Sequence, residues 1–116
     1  MSHADPNCIF CKIIAGQIPA KKVYEDEDIL AFHDIAPWAP VHILLIPKQH
    51  IVSMAEVTAA EAAVLGRMMT LVPTLMTQLG VSNGFRQVIN TGHDGHQEVM
   101  HLHMHVMGGP RPWSRG

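Results

Sequence analysis

The heptapeptide HLHMHVM, His101 to Met107, constrains this chain more than any other stretch. Histidine recurs at every second position, and Leu102, Met104 and Val106 fill the positions between. A helix would scatter those histidines around its circumference. An extended segment puts His101, His103 and His105 on one face and the apolar side chains on the other, where they enter a core. Core burial gives no reason for three imidazoles in a row, so their reason is chemical.

Chelation of one metal by all three fails on distance. Each two-residue step advances about 6.6 Å, which sets the Cα atoms of His101 and His105 roughly 13 Å apart. Zinc needs its ligand nitrogens at about 2.0–2.1 Å, within reach of one H-x-H pair but not of a straight triple. The three rings therefore divide their work, the middle one touching a reacting atom and the outer two holding its surroundings. Neutral imidazole attacks phosphorus near neutral pH and gives a phospho-histidine that water then cleaves. The preceding loop, NTGHDGHQ, offers Asn90, Gln97 and glycines whose backbone N–H groups can approach phosphoryl oxygens.

The remaining chain reads as a scaffold for that strand. CIFCKIIA, after Asn7 as N-cap, predicts a short helix that Gly16 ends. KKVYE and ILAFHD flank the acidic run Glu25 to Asp28 and predict a hairpin with a solvated turn. VHILLIP predicts a third strand closed by proline, and FRQVIN and HLHMHVM predict two more. Thr58-Ala59-Ala60-Glu61 is a capping box before a helix whose stripe is Leu65, Met68, Met69, Val72, Leu75, Met76 and Leu79, with a kink at Pro73 and a stop at Gly80. One long helix, one short helix and five strands joined by short turns make an α+β domain with an antiparallel sheet.

Charge and composition exclude other classes. A net charge of −2 leaves no footprint for nucleic acid or an anionic membrane, so any phosphate must be held by placed donors. With 47% hydrophobic and 16% charged residues, 116 residues suit one domain, ordered over about 7–109 with loose ends at 1–6 and 110–116. No run is long enough to span a bilayer and the first residues do not look like a secretory signal. Cys8 and Cys11, the two cysteines, read as metal or redox chemistry in a cytoplasmic protein.

HLHMHVM resembles the H-x-H-x-H signature of the histidine triad superfamily. CIFCKIIAGQIPAKKVYEDEDILAFHDIAP and PVHILLIPKQHI resemble its N-terminal block and middle strand. The likeness runs from about residue 7 to 109 and is greatest to the histidine triad nucleotide-binding branch. It implies that His103 is a transiently nucleotidylated nucleophile, that His105 binds the phosphate and that His42 orders the triad. It implies that Asp34 accepts from both ribose hydroxyls and that Ile9, Phe10, Ile13, Phe32 and Ile35 line a base pocket. Asn90, Gln97 and Glu98 would lie around the phosphate. The implied activity is hydrolysis of purine nucleoside phosphoramidates by a homodimer without a catalytic metal. Dinucleoside polyphosphate hydrolysis, a non-catalytic nucleotide-binding role and zinc storage or sensing are the rivals. Some triad proteins hold a structural zinc, and Cys8, Cys11, His50 and His101 match that Cys₂His₂ set.

Three positions depart from the family pattern. His96 replaces a glycine in the phosphate loop, and is strained if that position needs a positive φ. Glu98 stands where a serine serves the leaving group in the animal branch. Trp38 replaces a smaller polar residue near Asp34.

Overall fold

The central strands are apolar on both faces because both faces are covered. In the computed structural model, which describes residues 4–114, five strands form one antiparallel sheet in the order β1-β2-β3-β5-β4. They are β1 Lys22–Glu25, β2 Ile29–His33, β3 Val41–Pro47, β4 Phe85–Val88 and β5 Met104–Gly108. Alternate residues of β2 and β3 separate into two clusters. Ile29, Ala31, Ile43 and Leu45 pack with Met68, Val72, Leu75 and Met76 of α2, Ala62–Gln78. Leu30, Phe32, Leu44 and Ile46 pack with Phe10, Cys11 and Ile13 of α1, Ile9–Ile14. Such two-sided burial replaces the usual in–out alternation with a continuous apolar run.

The same alternation decides where the histidines face. His42 shares the α1 side of β3 with Leu44 and Ile46, and His105 pairs with Leu44 across the ladder. His42 and His105 are therefore diagonal neighbours on one face. Leu102, Met104 and Val106 enter the cluster beneath α2, as the sequence pattern requires.

Several boundaries differ from the sequence reading. β5 begins at Met104, so His101 and His103 lie in the extended segment before it. Continuing the register would set Leu102 against Pro47, but Pro47 has no N–H for Leu102 O, its own O accepts from His101 Nε2, and Leu102 N–H donates to Ile51 O at 2.7 Å. The N-cap of α1 is Cys8, not Asn7, since Cys8 Sγ accepts from Cys11 N–H. The Thr58–Glu61 capping box opens a 3₁₀ turn, Ala59–Glu61, that leads into α2. That helix runs on through Pro73 and stops before Gly80, whose φ is +81°. Met69 leaves the buried stripe; it is 52% exposed and accepts from Gln87 of β4. The acidic turn is a solvated hairpin whose Asp26 and Asp28 pair with Arg67 of α2.

Parts of both terminal segments make hydrogen bonds within the described residues. Trp113 Nε1–H donates to Gly109 O at 3.0 Å and Ser114 N–H to Trp38 O at 2.9 Å. Asp5 N–H reaches Cys11 Sγ. Residues 1–3 and 115–116 lie outside the described part.

Candidate active site

The hydrogen-bond partners of four histidines fix which nitrogen of each carries the proton. His103 Nδ1 lies 2.7 Å from His101 O. A carbonyl only accepts, so Nδ1 bears the hydrogen and Nε2 keeps its lone pair. His42 Nδ1 accepts from Trp38 N–H at 3.0 Å, which sends the proton of that ring to Nε2. His42 Nε2 then donates to His105 Nδ1 at 2.9 Å, leaving His105 with an Nε2–H. His101 Nε2 donates to Pro47 O at 2.7 Å, leaving its Nδ1 as an acceptor. One ring thus offers a lone pair and its neighbour, 5.0 Å away between centroids, offers a proton.

Burial keeps these rings neutral. Desolvation pushes His105 down to about 4, assisted by His103 and His42 and opposed by Asp34. Desolvation likewise lowers His103, against the His101 carbonyl and the charges of Asp34 and Glu98, and lowers His42 against Asp34. A neutral imidazole is the nucleophilic form. Stability follows from the same shift. In the unfolded chain His105 protonates near 6.5, in the folded chain near 4. Its contribution is therefore complete above pH 6.5 and lost as pH falls toward 4, about 3 kcal/mol for this residue. Urea unfolding at pH 7 and pH 4.5 should show that loss, and His105→Phe should reduce the difference between the two pH values.

Asp34 stands beside this pair. Its Oδ1 accepts from Ala36 N–H at 2.8 Å and forms the turn out of β2, while Oδ2 lies 3.5 Å from His42 Nε2 and 4.0 Å from His105 Nδ1. These three residues converge closely enough to suggest a metal. The Trp38 amide argues against it, because His42 Nε2 carries the proton and has no lone pair to give.

The apolar residues expected around a base divide into two groups. Phe10, Ile13 and Phe32 are buried, and Phe10 packs edge-on against His103 at 5.2 Å and His101 at 5.8 Å. Ile9 and Ile35 are exposed, Ile35 completely. Asn90 is half-buried just past β4. Gln97, expected near the phosphate, has its side chain bonded within the loop. Its Nε2 donates to Val52 O and Val99 O, and its Oε1 accepts from Gly92 N–H. Burial at 6% and three internal hydrogen bonds make it a brace for the loop before β5. Glu98 is exposed, and its charge reaches His103.

His96 adopts φ +61°, a positive φ unique among the non-glycine described residues. A left-handed backbone costs a side-chain-bearing residue about 1–2 kcal/mol, and glycine recovers that less about 0.5–1 kcal/mol of chain entropy. His96→Gly should raise the urea midpoint by the equivalent of about 0.5–1 kcal/mol with an unchanged slope.

The second cluster lies on the other side of His101. Its Nδ1 is 3.3 Å from Cys8 Sγ, 3.6 Å from Cys11 Sγ and 3.2 Å from His50 Nδ1, and His50 Nδ1 is 3.4 Å from Cys11 Sγ. A tetrahedron with zinc–nitrogen bonds near 2.05 Å and zinc–sulfur bonds near 2.3 Å has edges of about 3.3 Å between nitrogens and about 3.6 Å between sulfur and nitrogen. The observed separations fit. Cys11 N–H and Asp5 N–H point at the two sulfurs, as thiolate ligands favour. These four residues could hold a zinc ion.

The family model described as HIT domain matches residues 15–111. The chain belongs to the HIT family. Among its HIT relatives, Protein HitA of Neisseria gonorrhoeae is 52% identical over 104 residues, covering 90% of this chain and 97% of the relative. Purine nucleoside phosphoramidase of Escherichia coli K12 is 45% identical over 102 residues, covering 87% and 86%. A histidine triad protein from Clostridium difficile superposes with a TM-score of 0.90 at 40% identity over 95% of this chain and 96% of that one. A HIT family hydrolase from Legionella pneumophila gives 0.87 at 44% identity over 90% and 95%. Cys8 and Cys11 precede the segment matched by the HIT model, so the metal reading stands on side-chain geometry. Sequence reasoning missed the backbone amide of Trp38 and the edge-on contacts of Phe10. Neither leaves a residue-type signal.

Proposed function

We propose that this HIT-family hydrolase cleaves purine nucleoside phosphoramidates through a nucleotidyl adduct on His103. One observation carries the reading: His103 Nδ1–H is tied to His101 O, so a neutral ring turns an unshared Nε2 pair outward beside the His105 Nε2–H. The Nε2 pair attacks the α-phosphorus as the phosphorus–nitrogen bond to the amine breaks, and the amine leaves with a proton taken from solvent. Water then attacks the adduct at phosphorus, the phosphorus–Nε2 bond breaks and returns the pair to His103, and the nucleoside monophosphate leaves as the water's proton passes to solvent. His105 Nε2–H stabilises a phosphoryl oxygen, where charge grows in the transition state. Asp34 supports the nucleoside assignment, since its carboxylate can accept from ribose hydroxyls at the margin of this site. The name of the E. coli relative favours the same substrate class.

A zinc ion on Cys8, Cys11, His50 and His101 would be structural, closing α1 against His101 and supplying no step of the reaction. Among the described residues the β4 edge of the sheet has no further strand beside it, and exposed Phe85 and Met69 lie along it, which supports a homodimer joined there. No helix of the described residues is long and apolar enough to cross a membrane. The substrate class is tested by comparing kcat/KM for an adenosine phosphoramidate and a diadenosine polyphosphate. The reading expects at least about a hundred-fold preference for the former. Equal or reversed preference points to polyphosphate hydrolysis, and AMP binding without turnover of either points to a binding protein.

A further inference from the structure

Trp38 touches the site in three ways. Its backbone N–H donates to His42 Nδ1 at 3.0 Å. Its indole lies nearly parallel to the His105 ring, at 14° with centroids 6.0 Å apart, and meets the His42 ring at 5.8 Å and 64°. Its carbonyl accepts from Ser114 N–H, and Ser114 Oγ lies 3.4 Å from Pro37 O, so the C-terminal segment holds the loop in place.

A 6.0 Å separation between near-parallel rings leaves no room for a third ring between them. The indole is therefore a wall beside His105, not one half of a clamp for a base. The titratable groups facing His105 are His42 from β3, Asp34 from the β2–β3 loop and His103 from the segment before β5. Trp38 is the uncharged member of that surround and covers the rings that the donor chain runs through.

We propose that Trp38 is a positioning residue for His105, its amide and indole together fixing the ring orientation and tautomer that present Nε2–H to the phosphoryl oxygen. The amide starts a directed chain, Trp38 N–H to His42 Nδ1 and His42 Nε2–H to His105 Nδ1, that leaves His105 one way to carry its hydrogen. The indole keeps water from breaking that chain and stops the His105 ring from turning away. Water admitted here would also ease the desolvation that holds His105 near 4.

The kinetic part of the test rests on the phosphoramidase reading; the imidazole titration needs no substrate and so separates the two. Trp38→Gln and Trp38→Phe are prepared in the full chain, both keeping the backbone amide. Imidazole nitrogen resonances are followed against pH, and kcat and KM are measured with an adenosine phosphoramidate. For Trp38→Gln the expected results are a His105 midpoint raised by about one pH unit and a kcat lowered about five-fold. KM should stay within about two-fold, and Trp38→Phe should behave nearly as wild type because it keeps an aromatic wall. A His105 midpoint unmoved in Trp38→Gln overturns the proposal, whatever happens to kcat. So does a Trp38→Phe protein as impaired as Trp38→Gln.

Discussion

His103→Ala should reduce kcat for an adenosine phosphoramidate by about 10⁴-fold or more, while affinity for AMP changes by a few-fold at most. The size of the loss follows from the other rings of the cluster having no lone pair to lend. His101 Nδ1 faces the two cysteines and His50. His42 Nδ1 is taken by the Trp38 amide and His105 Nδ1 by His42. Only His103 Nε2 is uncommitted among them, so nothing nearby replaces it. Binding survives because the implied nucleoside contacts, Asp34 and the exposed Ile9 and Ile35, do not depend on that ring. Steady-state kinetics beside calorimetric AMP titration separate the two quantities. A variant that keeps even a tenth of wild-type turnover places the nucleophile elsewhere.

Metal removal should produce the second large effect, on stability. The protein purified without chelator should contain close to one zinc per chain, and Cys11→Ser should bring that below about a tenth. A site saturated a thousand-fold above its dissociation constant adds ~4 kcal/mol to folding. For a domain of this length that corresponds to a melting temperature about 15 °C lower once the metal is stripped. The loss should be largest around α1. Cys8 caps that helix, and Phe10 and Ile13 seat it on Leu30, Phe32 and Leu44. Elemental analysis and thermal unfolding with and without chelator measure both quantities. Metal-free protein that melts at the same temperature as the purified protein removes zinc from the account.

Much of this arrangement was legible in residue order. Strict alternation in HLHMHVM gave the facing of the histidines, because period two admits one backbone shape. VHILLIP gave β3 to the residue, bounded by Pro47. The start of β5 was not legible, since it depends on what lies across the ladder: Pro47 has no N–H for Leu102 O, its own O is taken by His101 Nε2, and Ile51 O accepts from Leu102 N–H. The role of Gln97 was hidden for a similar reason. A glutamine in a glycine loop carries no sign in its residue type that Val52, Val99 and Gly92 will be its partners. His96 was the opposite case, where a residue occupying a glycine's place foretold the positive φ that the backbone shows. The Cys₂His₂ set came from resemblance alone, yet its atoms converge across 93 residues of sequence between Cys8 and His101.

The central claim is a covalent bond between phosphorus and one imidazole nitrogen. The direct measurement is rapid acid-free quenching of the protein mixed with an adenosine phosphoramidate, followed by intact-mass and peptide mass spectrometry. The account predicts a transient adenylyl adduct carried by the peptide that contains His103, absent from His103→Ala and decaying at the rate of AMP release. Turnover at the wild-type rate with no adduct, or an adduct fixed on His42, His101 or His105, contradicts it.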